Sequence, residues 1–337
     1  MKVGILFDGV SALGAKPDLL ILGAVEAVED AISDWGHDHV RVPVNPDGRW
    51  VERVRRARFD LVFNLCEGID GVASLEPVVI SVLELFGIPY TGSSSTTTAL
   101  CLRKNVVNTL LDRARLPVPR WTLARRGVDV ASVGYPSICK PAAEDASIGI
   151  EQRSVVRSTR ALMARVEAMH ERWEEILVQR YIDGREVNVG IVGDEILPIA
   201  EINFGAMPRG MWRIVSYRSK WVTGSDEDLG ATPSCPADLA PELTRELERI
   251  SLAAWKAVGG QGYGRADFRI DSSGRPWLLE VNPNPDISPG AGLARMAGVA
   301  GMDYNMLVRR VCELALAPRA DVSVDLWTRS LKLSGLG

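Results

Sequence analysis

Several things are scarce in this sequence, and each scarcity removes a class of function. Cysteine is one. The five residues (Cys66, Cys101, Cys139, Cys235, Cys312) are scattered. None forms a Cys-x-x-Cys pair, so neither a zinc ribbon nor a disulfide framework is expected, and free thiols fit a reducing compartment. Histidine is another, with three residues. Only His37 and His39 lie close together, and they read as a solvent-facing pair near a loop. Basic excess is missing as well: 39 Lys and Arg stand against 43 Asp and Glu, a formal net charge of −4. A nucleic-acid surface would need a basic stripe. No apolar run approaches a membrane span, and the opening MKVGILFDG is too short for the apolar core of a signal peptide. The expectation is a cytoplasmic protein with neither nucleic acid nor membrane as partner. There are no internal repeats and no low-complexity tract. The segment Gly9 to Gly14 (GVSALG) lacks the Gly-x-Gly-x-x-Gly spacing, and no acid follows the next strand where a dinucleotide ribose would need one.

What is present is an ordinary globular composition, 46% apolar and 24% charged, over 337 residues. That length suits two or three domains. The first part alternates strand and helix. Val3 to Phe7 is a buried strand, Pro17 to Asp34 a helix, Val40 to Pro43 a strand, and Phe59 to Leu65 (FDLVFNL) a strand buried on both sides. Such a pattern predicts a parallel sheet whose ligands gather at the carboxyl ends of its strands. There the third strand runs into Cys66-Glu67-Gly68-Ile69-Asp70-Gly71. A helix from Leu75 to Phe86 stops at Gly87, and Ile88 to Gly92 reads as a short strand into a turn.

Ser93 to Thr98 is small and polar and reads as a boundary. Beyond it come a helix, Lys104 to Ala114, and a strand, Tyr135 to Lys140, ending in a lysine. The small-residue loop Pro141 to Gly149 follows, then a strand, Gln152 to Val156, and a helix, Thr159 to Trp173. A lysine at a strand end beside such a loop suits a nucleotide phosphate, which backbone N–H groups and an ammonium can meet together. The third part opens with a meander: Ile176 to Tyr181, Glu186 to Val192 and Glu195 to Ile202. Met207 to Pro233 is long and poorly patterned, and loops of that length in compact domains usually carry function. Pro241 to Val258 and Asp303 to Ala317 read as helices, with a Pro/Gly-rich loop from Asn282 to Gly292 between them.

The most informative stretch is Gly262 to Pro285, GYGRADFRIDSSGRPWLLEVNPNP. Arg265, Asp267 and Arg269 alternate with Ala266, Phe268 and Ile270, and Leu278, Glu280 and Asn282 read as one face of a second strand. Ser and Gly between the runs predict a hairpin. A two-residue turn at Ser273-Gly274 sets Asp267 opposite Glu280 and Arg265 opposite Asn282. Two facing carboxylates repel in a bare sheet. A divalent cation removes that cost, and hard oxygen donors suit Mg²⁺. A charged face turned to water is the plainer reading of the same pattern.

Taken with YPSICKP, ILVQRYIDGREVNV and LELFGIPYTGS, in this order and spacing, the hairpin resembles the ATP-grasp superfamily, and within it the D-alanine–D-alanine ligases. The likeness runs from Val3 to about Ala317. It implies an α/β (α+β) protein in three parts: an N-terminal parallel-sheet domain (residues 1–100), a central small α/β domain (101–182) and a C-terminal antiparallel-sheet domain (183–317). The tail 318–337 is unassigned. By position, the resemblance implies that Lys104, Lys140, Ser147 and Lys220 bind ATP phosphates, that Gln179, Tyr181 and Ile182 frame adenine, and that Glu186 takes the ribose. It implies that Asp267, Glu280 and Asn282 hold two Mg²⁺ (or Mn²⁺) ions and that Arg265 stabilises an oxyanion, with Lys220 beside it. The implied reaction joins a small carboxylate to a small amine through an acylphosphate, releasing ADP and phosphate. A homodimer is implied too.

The departures concern the substrate. No Glu follows the first strand, Ala146 stands for a family Ser, and Trp221 for a family Tyr. Glu67-Gly68 replaces a His-Gly pair, and the family's Ser-Leu falls near Ala291-Gly292-Leu293. Glu67, Asp70 and Gly292 are therefore the candidates for contacting a substrate other than D-alanine. A genuine D-alanine–D-alanine ligase and a non-catalytic ATP-binding protein are the alternatives.

Overall fold

The structure is a computed structural model, and it describes residues 1–9, 16–128 and 130–317. The tail 318–337, and most of the Gly9 to Gly14 segment, lie outside the described residues. The chain begins with β1 (Lys2–Asp8), α1 (Lys16–Asp34), β2 (Asp38–Val44), α2 (Arg49–Ala57) and β3 (Leu61–Asn64). The three strands form a parallel sheet in the order β2-β1-β3. Alternation along β1 feeds two cores at once: Val3, Ile5 and Phe7 pack with Val25, Val28 and Ile32 of α1, while Leu6 packs with Trp50 and Val54 of α2. The sequence pattern did not announce α2. Its only buried residues are Trp50 and Val54, four apart, in a run that is otherwise mostly charged. After β3 come α3 (Glu76–Leu85), α4 (Ser95–Leu102) and α5 (Lys104–Arg113). The small polar run at Ser93 to Thr98 is a helix start: Ser94 caps α4 by accepting from the Thr97 N–H.

The central sheet holds β4 (Trp121–Arg125), β5 (Ser137–Pro141), β6 (Val155–Val156) and β7 (Glu175–Arg180), with α6 (Thr159–His170) between the last two. Its order is β4-β7-β5-β6, all antiparallel. Cys139, Ile176 and Val178 pack under α6. The strand expected from Gln152 shrinks to Val155–Val156, because Glu151 and Ser154 cap each other and coil Gln152–Ser154 into a 3₁₀ turn.

The third sheet contains β8 (Arg185–Val192), β9 (Glu195–Ile196) and β10 (Ala200–Asn203). A long segment carrying α7 (Tyr217–Trp221) and α8 (Asp226–Leu229) leads to β11 (Thr232–Ser234), α9 (Pro241–Ala257), β12 (Tyr263–Ile270) and β13 (Pro276–Asn282). Strand order is β11-β10-β8-β12-β13, with β9 pairing on β8. The expected strand Glu195 to Ile202 is broken around Pro198, which cannot donate to a ladder. Buried residues on α9 (Leu247, Ile250, Ser251, Ala254, Trp255) keep helical spacing, and the helix covers Ala266, Phe268 and Ile270 of β12. The chain closes with α10 (Gly292–Val299) and α11 (Tyr304–Leu316). Leu307 and Val311 of α11 share a core with α1 and β3, so the end of the chain returns to the first sheet.

Candidate active site

The outer faces of the central and third sheets carry their helices, and their inner faces bound a cleft. One wall of the cleft is the hairpin. In it Arg265 pairs with Asn282 and Asp267 with Glu280, as the alternation predicts. The route to that register differs from the expected one. The turn takes three residues, Ser272 to Gly274: the Asp271 N–H donates to the Arg275 carbonyl, and Gly274 has a φ of 84°. That displaces the pairing by one, and a β-bulge after Asp267 restores it. The bulge corrects one expectation. Leu278 is fully buried with Val281 in the α9 core and does not share a face with Glu280 and Asn282.

Neighbouring β8 adds to the same wall. Asn188 lies opposite Asp267 and Glu186 opposite Arg269. Asp267 accepts from Arg265 Nε at 2.7 Å, Arg265 Nη2 at 2.9 Å and Asn188 Nδ2 at 2.7 Å. Asn282 Oδ1 accepts from the Asn284 N–H. Burial pushes the Glu280 carboxyl up to about 7, opposed by Lys104 and reinforced by Asp145 and Asp267. Asp145, in the loop after β5, moves the other way. Burial would raise it, but Lys104, a hydrogen bond with Glu280 and Lys220 hold it down. The two carboxyls are pushed apart, Glu280 up and Asp145 down, because each feels the other across the cleft. Among the described residues no three His, Cys, Asp or Glu side chains converge into a metal cage. Two carboxylates and a carboxamide fit a hard cation whose remaining ligands are water and phosphate, the usual setting of Mg²⁺. The like-charge crowding on Glu280 is what such a cation would relieve.

The opposite wall is the inner face of the central sheet. Lys140 Nζ lies 3.2 Å from Gln179 Oε1, and burial lowers the ammonium to about 8. Gln179 Nε2 is buried with no partner. Lys104, at the first turn of α5, donates to the Glu144 carbonyl. Tyr181 is buried with its hydroxyl on the Arg213 carbonyl at 3.3 Å. With Ile182 it lines a space of about 530 Å³ that also reaches Arg120, Asp271 and Trp277. Glu186 is already paired, 2.7 Å from Arg269 Nη2.

Two loops lie over the cleft and are tied to each other. Trp221 Nε1 donates to the Ala146 carbonyl at 2.9 Å, Ser147 Oγ to the Val215 carbonyl at 3.0 Å, and the Tyr217 N–H to the Ile150 carbonyl at 2.9 Å. The Gln152 amide brackets Trp212, accepting from its N–H at 2.6 Å and donating to its carbonyl at 3.2 Å. Ala146 and Trp221, the two departures in this region, thus join through indole and backbone. Lys220, on α7, is exposed, with Nζ 5.3 Å from the Trp221 ring.

At the end of β3, Glu67 is exposed to the cleft, yet its carboxyl is raised by the protein around it and by Asp286, with Lys220 and Arg265 opposing. Both carboxylate oxygens of Asp8 take backbone N–H groups of this loop, at Asp70 (2.8 Å) and Gly71 (2.9 Å). Asn284 locks the loop to the hairpin, donating to the Cys66 carbonyl and to Glu76 and accepting from the Tyr263 hydroxyl. Asp70 is exposed, and Gly292 is the first residue of α10. Glu67 lies within electrostatic reach of Lys220 and Arg265.

A family model described as D-ala D-ala ligase C-terminus matches residues 116–313. The D-alanine–D-alanine ligase of Geobacter sulfurreducens is 32% identical over 321 residues, 92% of each chain. That of Gluconobacter oxydans is 30% identical over 321 residues, 94% of this chain and all of the other. The chain belongs to the D-alanine–D-alanine ligase family. It is an ATP-dependent ligase of carbon–nitrogen bonds. The fold agrees: the Bacillus anthracis D-alanine–D-alanine ligase solved with ATP superposes with a TM-score of 0.74 at 22% identity, covering 94% of this chain and 97% of that one. Another structure of that ligase gives 0.78 at 23%.

For a member of this family, sequence reasoning missed Asp145, Asn188, the Glu76–Asn284 contact and the engagement of Arg269. Asp145 lies within the PAAEDASIG loop, whose small residues signal backbone contacts rather than a side-chain role. Asn188 needed the pairing of β8 with β12, two strands 70 residues apart, which no local pattern states.

Proposed function

We propose that this ligase joins a small carboxylate to a small amine that are not both D-alanine. The observation that carries the reading is Glu67, an exposed carboxylate at the end of β3 that lies within electrostatic reach of Lys220 and Arg265. A carboxylate there suits a substrate cation. ATP would lie between the two sheets, with its phosphates met by Lys104, Lys140 and Lys220. The unpartnered Nε2 of Gln179 is a buried donor that nucleotide would satisfy. Tyr181, Ile182 and Glu186 would bound the base and ribose, and Ser147 would hold the covering loop. Asp267, Glu280 and Asn282 would hold two Mg²⁺ or Mn²⁺ ions, which supply neutralisation of the phosphate charge.

In the first step a substrate carboxylate oxygen attacks the γ-phosphorus, and ADP leaves with the electrons of the broken bond. In the second the amine attacks the acyl carbon and phosphate departs, leaving the amide. Arg265 is oriented for the intermediate oxyanion because Asp267 fixes its Nε and Nη2. Its role is charge stabilisation, while Lys220 covers the leaving phosphate.

A genuine D-alanine–D-alanine ligase is the second reading, favoured by the 92% coverage of the Geobacter relative. ADP release with D-alanine alone, set against amino acids supplied in pairs, separates the two. Turnover with D-alanine alone at full rate sinks the first. ATP binding without turnover of any pair would leave a nucleotide-binding protein.

We also read the chain as three units dividing near residues 100 and 182, working in the cytoplasm as a homodimer. Leu75, Val78 and Leu85, exposed on and just before α3, support a second copy there. Among the described residues no helix is long and apolar enough to cross a membrane. Light scattering reads the oligomer directly.

A further inference from the structure

Arg269 has no part in the reaction described above, yet it is 3% exposed. A guanidinium is rarely buried that far unless its donors are met. Here they are met by two stretches of chain, the crossing into β8 and the long covering segment. Nη1 donates to the Gly184 carbonyl at 3.1 Å, in the crossing from β7 to β8. Nη2 bonds the Arg213 carbonyl of the long covering segment and lies 2.7 Å from Glu186 at the start of β8. Two rings flank the group, Phe204 at 5.1 Å and Tyr181 at 5.7 Å. The crossing itself is tight. A Cβ on Gly184 would stand 1.9 Å from the Ile270 carbonyl oxygen, so only glycine lets the chain pass against β12.

Arg269 is also two residues from Asp267 on the same face of β12. Lys140, on the facing sheet, is within electrostatic reach of both Arg269 and Glu186. The guanidinium thus touches the wall that presents Glu186, the crossing that joins the two sheets, and the segment that covers the cleft.

We propose that Arg269 is a positioning residue: its planar fork sets Glu186 for the nucleotide and, through the Arg213 carbonyl, holds the covering segment shut. The proposal rests on the reading that ATP occupies this cleft. A fork is needed because the acceptors diverge. A lysine at this position could stay beside Glu186 but would release the two carbonyls.

The test compares full-length wild type with Arg269→Met and Arg269→Lys by two measurements. Calorimetry with ATP and Mg²⁺ reads the site, and trypsin without nucleotide reads the cover, at Arg209 and Arg213. For Arg269→Met the ATP Kd is expected to rise about tenfold or more, ~1.4 kcal/mol, with faster cleavage at both arginines. For Arg269→Lys cleavage should quicken as much while Kd rises less, since the charge beside Glu186 is kept. A merely structural arginine would lower melting temperature in both variants without opening those two sites. Either variant, folded, with Kd within twofold of wild type and unchanged cleavage overturns the proposal. Should wild type itself bind no ATP, the reading of the cleft fails, and the cleavage pattern still decides whether Arg269 holds the cover.

Discussion

The hairpin wall and the two covering loops face the same cleft but are held by different forces. The wall is a ladder. Backbone hydrogen bonds run along β12 on both sides, to β8 and β13, and α9 packs beneath with Leu247, Ile250 and Trp255. The positions of Arg265, Asp267 and Asn282 follow from strand geometry and tolerate little play. The loops have no ladder between them. They meet through a handful of single contacts: an indole on Ala146, a hydroxyl on Val215, an amide on Trp212. Each net hydrogen bond of this kind contributes only about 1 kcal/mol. A rigid wall that fixes charge beside a cover that can open is the division of labour expected of an enzyme that must admit substrate and then exclude water.

The comparison breaks first at the wall. Glu280→Gln keeps size and hydrogen-bonding capacity but removes a carboxylate from the hairpin face. Turnover is expected to fall about a thousandfold, the scale of removing one preorganised electrostatic contact. The ladder does not depend on that side chain, so the melting temperature should hold within a few degrees. Retained activity in a coupled ADP assay would detach Glu280 from the chemistry.

A second change tests where the wall meets the first sheet. Glu76 is 5% exposed and accepts from Asn284 Nδ2 at 2.9 Å. Burial raises its carboxyl to about 8, partly opposed by that bond. An ordinary glutamate loses its proton near 4.5 in the unfolded chain, while the folded protein keeps it to about 8. Between those values the native state binds more protons than the unfolded one, so this group's contribution is complete below 4.5 and is lost as pH rises to 8. Glu76→Gln keeps a donor and an acceptor without the titration. Relative to wild type, it is expected to gain about 4 kcal/mol between pH 5 and pH 8.5. Urea unfolding at the two pH values checks this, and a pH-independent difference would show that Glu76 is ionised in the folded state.

Much of the wall was legible because its period is two. Ala266, Phe268 and Ile270 face the core, and Asp267 and Arg265 find Glu280 and Asn282 opposite. The bulge was not legible, since one extra residue at Leu279 leaves the composition of the strand unchanged. It mattered less than it should have, because a turn one residue longer than expected cancelled it. α2 was missed for lack of a broad apolar stripe, and α7 because five residues carry too little periodicity to register. Lys104 and Lys140 were legible as candidates because each stands at or next to the end of an element. Their partners were not: Asp145, Asn188 and Arg269 take their surroundings from strands and loops distant in sequence. Glu186 is the sharpest case. Its position was readable, but the arginine that neutralises it lies 83 residues on and became visible only with the pairing of β8 to β12.

The smallest expected effect lies at the cover. Trp221→Phe removes the indole N–H that bonds the Ala146 carbonyl and keeps an aromatic ring under Lys220. Ala146 is half-buried and sits in the left-handed region, φ 54°, beside Ser147 at 61°. A β-bonded side chain favours neither value, so the loop needs outside contacts to hold this shape. Losing one of them leaves Ser147 and Tyr217 still engaged, and the loop should open more often without unfolding. The expected result is a KM for ATP raised about fivefold, near 1 kcal/mol, with kcat lowered by less and melting temperature unchanged within a degree or two. An unaltered KM would mean that the two loops are held by the backbone contacts and Ser147, and that the indole bond is incidental to closure.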